Sequence, residues 1–311
     1  MSNALLLATL ALTMAAPVPK GPQPTYVVVA TVAGDVLKLD TTGKEVARFP
    51  LKDTAIRMVR LAPDHDRILV SSRAAPNKTT AKLFLRDWIA NTATELPEAQ
   101  HVAACFWLPD GTSVLASGLD IALGNQPQIP RHKCWQSWSV STATQEVTKI
   151  ELDGEYRLIG LSWDAKQYIA ARTFDPKPVG KGVLSPQLET YLVDRTTLKK
   201  QLVIPAERDA MPVAMLPDGT TWLVSKVAGA DNLRRFGLFN TKDDSFTELP
   251  DQTQPYTYAT VSPDGKQILA SQRSKGNDGT WTGELFLIDI AGLKSRKFFE
   301  TNSVILSIDW R

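Results

Sequence analysis

The chain is 311 residues long, 43% hydrophobic and 22% charged, with a formal net charge of +2. That is the composition of a soluble globular protein, long enough to bury roughly three quarters of its unfolded surface. Near-neutral charge, with Lys and Arg spread along the chain, disfavours a nucleic-acid surface and a polybasic membrane site.

The N-terminus differs from the rest. Asn3 to Ala16 reads NALLLATLALTMAA, an apolar run ending in small residues. Pro17, Pro19, Pro22 and Pro24 follow within eight residues. This is the pattern of a secretory signal (1–16) and a Pro-rich linker (17–24), although no Lys or Arg precedes the apolar run. The run is too short for a comfortable membrane span. The expectation is an exported protein, periplasmic or extracellular, with 25–311 forming a single domain and no transmembrane span in the mature chain.

From residue 25 onward one local pattern recurs. Its clearest copy is Tyr256 to Arg273, YTYATVSPDGKQILASQR. An alternating segment enters Ser262-Pro263-Asp264-Gly265 and an apolar run leaves it. Pro263 pre-sets φ for a type I turn, Asp264 tolerates the next position, and Gly265 takes the left-handed conformation of a bulge. Weaker copies are centred on Pro63, Pro109, Trp163 and Pro217, so successive centres lie 46, 54, 54 and 46 residues apart. His65 replaces the glycine in the first, and the third reads Trp163-Asp164-Ala165. After each turn comes a second apolar strand, then a loop of variable length. A third alternating strand follows, such as Glu284-Leu285-Phe286-Leu287-Ile288-Asp289, then a polar turn and a fourth strand. Four short antiparallel strands, a to d, repeated at this period make a propeller blade.

The ends complete the count. Ser303 to Trp310 reads as a lone strand a, while Tyr26–Thr31, Asp35–Asp40 and Lys44–Phe49 read as strands b, c and d. The expected fold is therefore all-β: six four-stranded blades, with the ring closed by strand a (303–310) joining strands b–d (26–49). Closure removes exposed sheet edges, which favours a monomer.

The Ser-Pro-Asp-Gly-Lys turn at 262–266 with the Leu285–Asp289 strand resembles the TolB-type, WD-repeat-like propeller repeat. The resemblance covers nearly all of 25–311. It implies a six-bladed propeller, and similar repeats serve exported scaffolds, binding modules and the propeller domains of prolyl oligopeptidase-like peptidases. No G-x-S-x-G elbow or hydrolase domain accompanies them here, which disfavours the peptidase reading.

The repeat also sorts the loops. The b–c and d–a connections share one face, and the Pro-Asp-Gly and c–d turns share the other. Long b–c loops are expected in blade two (Gly118 to His132) and blade three (Phe174 to Gln187). A rigid scaffold presenting uneven loops suits a protein or peptide partner. Candidate binding residues on this face are Tyr256, Trp281, Arg131 and His132. A second set stands eight residues before each turn centre, at the channel mouth: His101, Glu155, Asp209 and Asn302. These are ligand types, but calcium needs roughly six to eight oxygens. The expected state is a wet polar mouth with no cofactor, and the alternative is a metal-dependent, lactonase-like hydrolase. A third reading is a cell-envelope glycan binder using Trp281. No nucleophile–His–Asp set can be assembled, so no catalytic residue is assigned. Asp64, Asp110, Asp164, Asp218 and Asp264 are each the turn residue of their own blade.

Three packing expectations follow. Cys105 and Cys134 fall on strands one and three of one sheet, about 10 Å apart, and stay free buried thiols. His65 is expected in solvent. Trp107, Trp135, Trp138, Trp163, Trp222 and Trp310 are expected between blades, and Trp88 and Trp281 partly exposed.

Overall fold

The computed structural model describes residues 25–51, 55–73, 81–90, 92–96, 102–119, 134–180, 183–228, 233–252, 254–276 and 279–311. They form six four-stranded antiparallel sheets arranged as propeller blades. Blade one holds β4 (Ala55–Leu61), β5 (Arg67–Arg73), β6 (Ala81–Asp87) and β7 (Ala93–Glu95). Blade two holds β8 (Val102–Trp107), β9 (Ser113–Leu119), β10 (Trp135–Ser141) and β11 (Val147–Ile150). Blade three holds β12 (Tyr156–Leu161), β13 (Gln167–Gly180), β14 (Val183–Asp194) and β15 (Lys200–Ile204). Blade four holds β16 (Ala210–Met215), β17 (Thr221–Ala228), β18 (Leu233–Asn240) and β19 (Phe246–Glu248). Blade five holds β20 (Tyr258–Val261), β21 (Gln267–Lys275), β22 (Trp281–Asp289) and β23 (Lys294–Thr301).

Blade six closes the ring. Its order is β24 (Ile305–Trp310), β1 (Val27–Thr31), β2 (Asp35–Leu39) and β3 (Glu45–Pro50). Val27 pairs with Trp310 and Val29 with Ile308. Tyr26 and Arg311 exchange backbone hydrogen bonds of 2.7 and 3.0 Å. The closing strand and its partners are those expected from the sequence.

The hydrophobic core is divided among the gaps between blades, with one apolar cluster in each of six wedges. Trp107 and Trp222 are fully buried there. Such a wedge forms because each strand alternates its side chains between the two faces of its own blade, and each face meets a neighbour. Polar side chains stitch neighbouring blades together. Ser307 Oγ accepts the Val59 N–H at 3.2 Å, Asp309 Oδ2 accepts the Leu61 N–H at 2.9 Å, and Ser117 Oγ accepts the Leu158 N–H at 3.2 Å. These bonds satisfy strand N–H groups that a break in the ladder would otherwise leave buried and unpaired. The innermost pairing is interrupted by a bulge or irregularity in five blades, at Ile56/Met58, Val102/Ala104, Leu158/Gly160, Pro212/Ala214 and Ala30/Thr31. A bulge re-aims side chains and increases local twist, here along the channel wall.

The turns hold their geometry where the sequence departs from the repeat. In blade five Ser262 donates to Asp264 at 2.6 Å and accepts the Gln267 N–H at 2.9 Å. In blade three Ser162 donates to Asp164 at 2.7 Å and accepts the Gln167 N–H at 2.9 Å. Gly265 sits at φ +72, while Ala165 and His65 take φ 55 and 64 without a glycine's freedom. A left-handed conformation costs a non-glycine residue about 1 kcal/mol. The Ser162–Asp164–backbone bonds offset it in blade three. In blade one, where Ala62 replaces the serine, Asp64 Oδ1 accepts the Asp66 and Arg67 N–H groups at 3.0 and 3.3 Å.

Four expectations need correction. The blade-three connection is no loose loop: β13 and β14 stay paired through Phe174↔Gln187, Lys177↔Ser185 and Gly180↔Val183. Register shifts fall at 174/177 and 178/180, beside Pro176 and Pro178, which cannot donate to the ladder. His65 is only 9% exposed. It lies edge-on to Tyr26 at 5.4 Å, and its carbonyl accepts Lys38 Nζ at 2.6 Å. Burial, then the Lys38 charge, holds its imidazole below the usual histidine pKa. Ring closure brings blade six over this turn. Trp163, which stands where other blades have the turn proline, is 40% exposed and not packed between blades. The fourth correction, Tyr256, concerns the candidate site. Cys105 and Cys134 are free and buried, and burial pushes the Cys105 thiol up to about 12.

Candidate functional site

Each strand a enters at the loop face and leaves at the turn face, so the channel has two ends of different chemistry. At the loop face the expected polar ring does not converge. Glu155 lies 2.8 Å from Arg172, and Arg172 lies 4.0 Å from Glu189. Glu189 in turn accepts the Tyr191 hydroxyl at 2.6 Å. Asp209, at φ 48, lies 2.8 Å from Arg234, which also donates to the Ser225 carbonyl at 2.9 Å. Each acid is thus held by an arginine of its own blade. Asn302 is exposed. Among the described residues no group of three or more His, Cys, Asp or Glu is arranged to hold a metal. His101, Arg131 and His132 lie outside the described residues, as do the 1–16 and 17–24 segments.

Tyr256 is not available at the mouth. It is 3% exposed, packed 6.0 Å from Phe286, and its hydroxyl donates to the Pro250 carbonyl at 2.9 Å. Its side chain fills the wedge between blades four and five, and burial raises its phenol pKa. Trp281 is 46% exposed, as expected. The Arg273 guanidinium lies 5.1 Å from its ring centroid and Lys275 Nζ 6.0 Å. Val32, Leu233 and Tyr258 are further exposed apolar residues on the loop face.

The turn-face end holds a cavity of about 430 Å³ that the sequence reading did not anticipate. All six innermost strands or their turns contribute. Phe106, Ile159, Trp163, Val213, Ala259 and Ile308 supply apolar wall. Arg60, Asp309 and Arg311 supply charge. Arg60 Nη1 donates to the carbonyls of Val59 and Ile308 at 3.0 and 3.2 Å. Asp309 Oδ2 accepts the Leu61 N–H and stands 3.8 Å from Arg311 Nε. An out-of-pattern Trp163 at a turn was the one visible signal for this end.

No protein-family model matches the sequence, and no curated protein matches it. Solved structures do. TolB from Acinetobacter baumannii superposes with a TM-score of 0.62 at 14% identity, covering 92% of this chain and 66% of that one. This chain thus spans just under two thirds of that TolB. A protein assigned as TolB from Agrobacterium tumefaciens gives 0.59 at 12% identity, covering 90% of each chain. An oligogalacturonate lyase from Vibrio parahaemolyticus gives 0.51 at 13% identity, covering 90% of this chain and 73% of that one. The fold is that of a TolB-like six-bladed β-propeller. Identities this low concern the fold alone. Among the described residues no helix is long and apolar enough to cross a membrane.

Proposed function

We propose that this chain is an exported, non-enzymatic binding module that presents its loop face to a protein or peptide partner. The observation that carries the reading is the blade-three ribbon. Its two strands remain paired well past the blade, through Gly180↔Val183. A paired ribbon offers shape and unpaired backbone edges at a lower ordering cost than a slack insertion. Among the described residues, the exposed apolar side chains Val32, Leu233, Tyr258 and Trp281 stand on the same face. The paired acids at the mouth leave the described residues without an acid–base or metal constellation there, which supports binding over the lactonase-like alternative. Export rests on the apolar N-terminal run and the proline spacer behind it.

The test replaces residues 175–186 with Asn-Gly, joining the paired Phe174 and Gln187 by a two-residue turn. The shortened protein is expected to keep its melting temperature and lose the envelope proteins captured by the full chain. An unchanged set of captured proteins overturns the reading.

One observation favours a second reading. Trp281 is exposed and flanked by Arg273 and Lys275, a pairing of stacking surface and positive charge that suits an acidic glycan. Galacturonate oligomers are the probe. Binding lost in Trp281→Ala supports this reading, and no binding by the unaltered protein removes it.

A further inference from the structure

We propose that the turn-face cavity is a separate ligand site that takes an apolar-bodied carboxylate through Arg60. The volume of about 430 Å³ is within the range of small-molecule sites, roughly 300–1,000 Å³. Phe106, Ile159, Val213 and Ile308 give it an apolar floor, and Trp163 forms an exposed rim. These residues come from four different blades and from the turn of blade three, so the ring's closure builds the site.

Charge selects the ligand class. The cavity is lined by two guanidinium groups and one carboxylate, Asp309. Asp309 is already engaged by the Leu61 N–H and faces Arg311. Arg60 has no carboxylate within ion-pair distance among the described residues, and two backbone carbonyls fix its Nη1. A guanidinium has five N–H donors in a rigid fork that matches a carboxylate. Backbone carbonyls hold one edge of the fork in place, which lowers the ordering cost of a ligand meeting the remaining donors. The one lining guanidinium without an ion-pair partner among the described residues, Arg60, fits a monoanion. A dianionic phosphate would bring a second negative charge toward Asp309, whose own charge faces Arg311.

Two sources share this chemistry: a free small acid and the carboxyl end of a peptide. Calorimetry on the full protein separates them with 3-phenylpropionate, its amide, the peptide Gly-Gly-Leu-Phe with a free carboxyl end, and the same peptide amidated. Free acids are expected to bind about tenfold or more tightly than the matching amides. Tighter binding of the peptide names a chain end as occupant, and equal binding names the small acid. Arg60→Gln is expected to remove the acid–amide difference, and Trp163→Ala to weaken acid and amide alike. Because the comparison on the unaltered protein needs no variant to fold, it stands alone as a test. Equal binding of acids and amides, or no binding by any probe, overturns the proposal. The ribbon-shortened protein is expected to bind these probes normally, so failure at the loop face and failure here are distinguishable.

Discussion

At the loop-face mouth Glu155 and Asp209 each rest against an arginine of their own blade. At the turn-face end Arg60 lines a cavity and has no carboxylate within ion-pair distance among the described residues. The mouth carries more ionisable residues and the less reactive chemistry, because its charges are consumed locally. The turn-face cavity is lined by Arg60, Asp309 and Arg311, and of these Arg60 has no ion-pair partner among the described residues. Counting charged residues around a channel therefore says little about a site. Which of them are matched within their own sheet decides it.

The strongest way to break the contrast is to remove the innermost strand that closes the ring. Deleting Ser303 to Arg311 removes the buried Ile305, Ile308 and Trp310. Burial of such side chains contributes about 1.5–3 kcal/mol each, against a total stability of roughly 5–15 kcal/mol. The truncated chain is expected to lose its cooperative thermal transition by circular dichroism. An unchanged melting temperature would show that the ring is not closed by β24.

Rim substitutions sharpen the comparison at the turn face. A Cβ on Gly265 would stand 2.3 Å from Pro217 Cγ and 3.3 Å from Trp163 Cη2, at φ +72. Gly265→Ala is therefore expected to cost about 1–3 kcal/mol, more than the left-handed backbone alone demands. Ala165→Gly, at the matching position of blade three, is expected to stabilise by roughly 1 kcal/mol. Urea unfolding measures both, and equal effects would mean the rim contact is immaterial.

Acid should distinguish the turns as a group. Hydrogen bonds to the carboxylates hold Asp164, Asp194, Asp218 and Asp264 below the usual aspartate pKa. Depressed carboxylate pKa values mean that the unfolded chain binds protons first as pH falls. The stabilisation is complete above about pH 4 and is lost as pH drops through the folded values. A melting temperature that stays level from pH 5 to pH 3 would contradict this.

The smallest effect is expected at the mouth. Glu155 and Arg172 are each about a third exposed, and such pairs contribute roughly 0–1 kcal/mol. Glu155→Gln should therefore lower stability by less than 1 kcal/mol. A calcium-dependent rise in the melting temperature of the unaltered protein, abolished by this change, would restore the metal reading.

Blade count, turn positions and ring closure were all legible in the sequence. They depend on period-two alternation and on Ser, Pro, Asp and Gly acting over four or five residues. Even the blade-three turn, lacking both Pro and Gly, keeps the bonding of Ser162 to Asp164 that Ser262 and Asp264 show. The pairing of Glu155 with Arg172 was not legible. Counting outward from the turn gives the wrong opposite residue, because a bulge at Leu158/Gly160 shifts the register by one. His65 met Tyr26 and Lys38 only when the ends of the chain joined. In the ribbon the prolines signal interruption to a sequence pattern, whereas pairing resumes around them.

The sequence by itself determined the architecture, since each blade is written in local patterns and the missing strand at one end is supplied at the other. Only the tertiary structure decided which charges are spent and where space remains. The cavity at Arg60 belongs to no single repeat. It exists where six innermost strands from distant parts of the chain converge, and nothing local in the sequence encodes the distance between them.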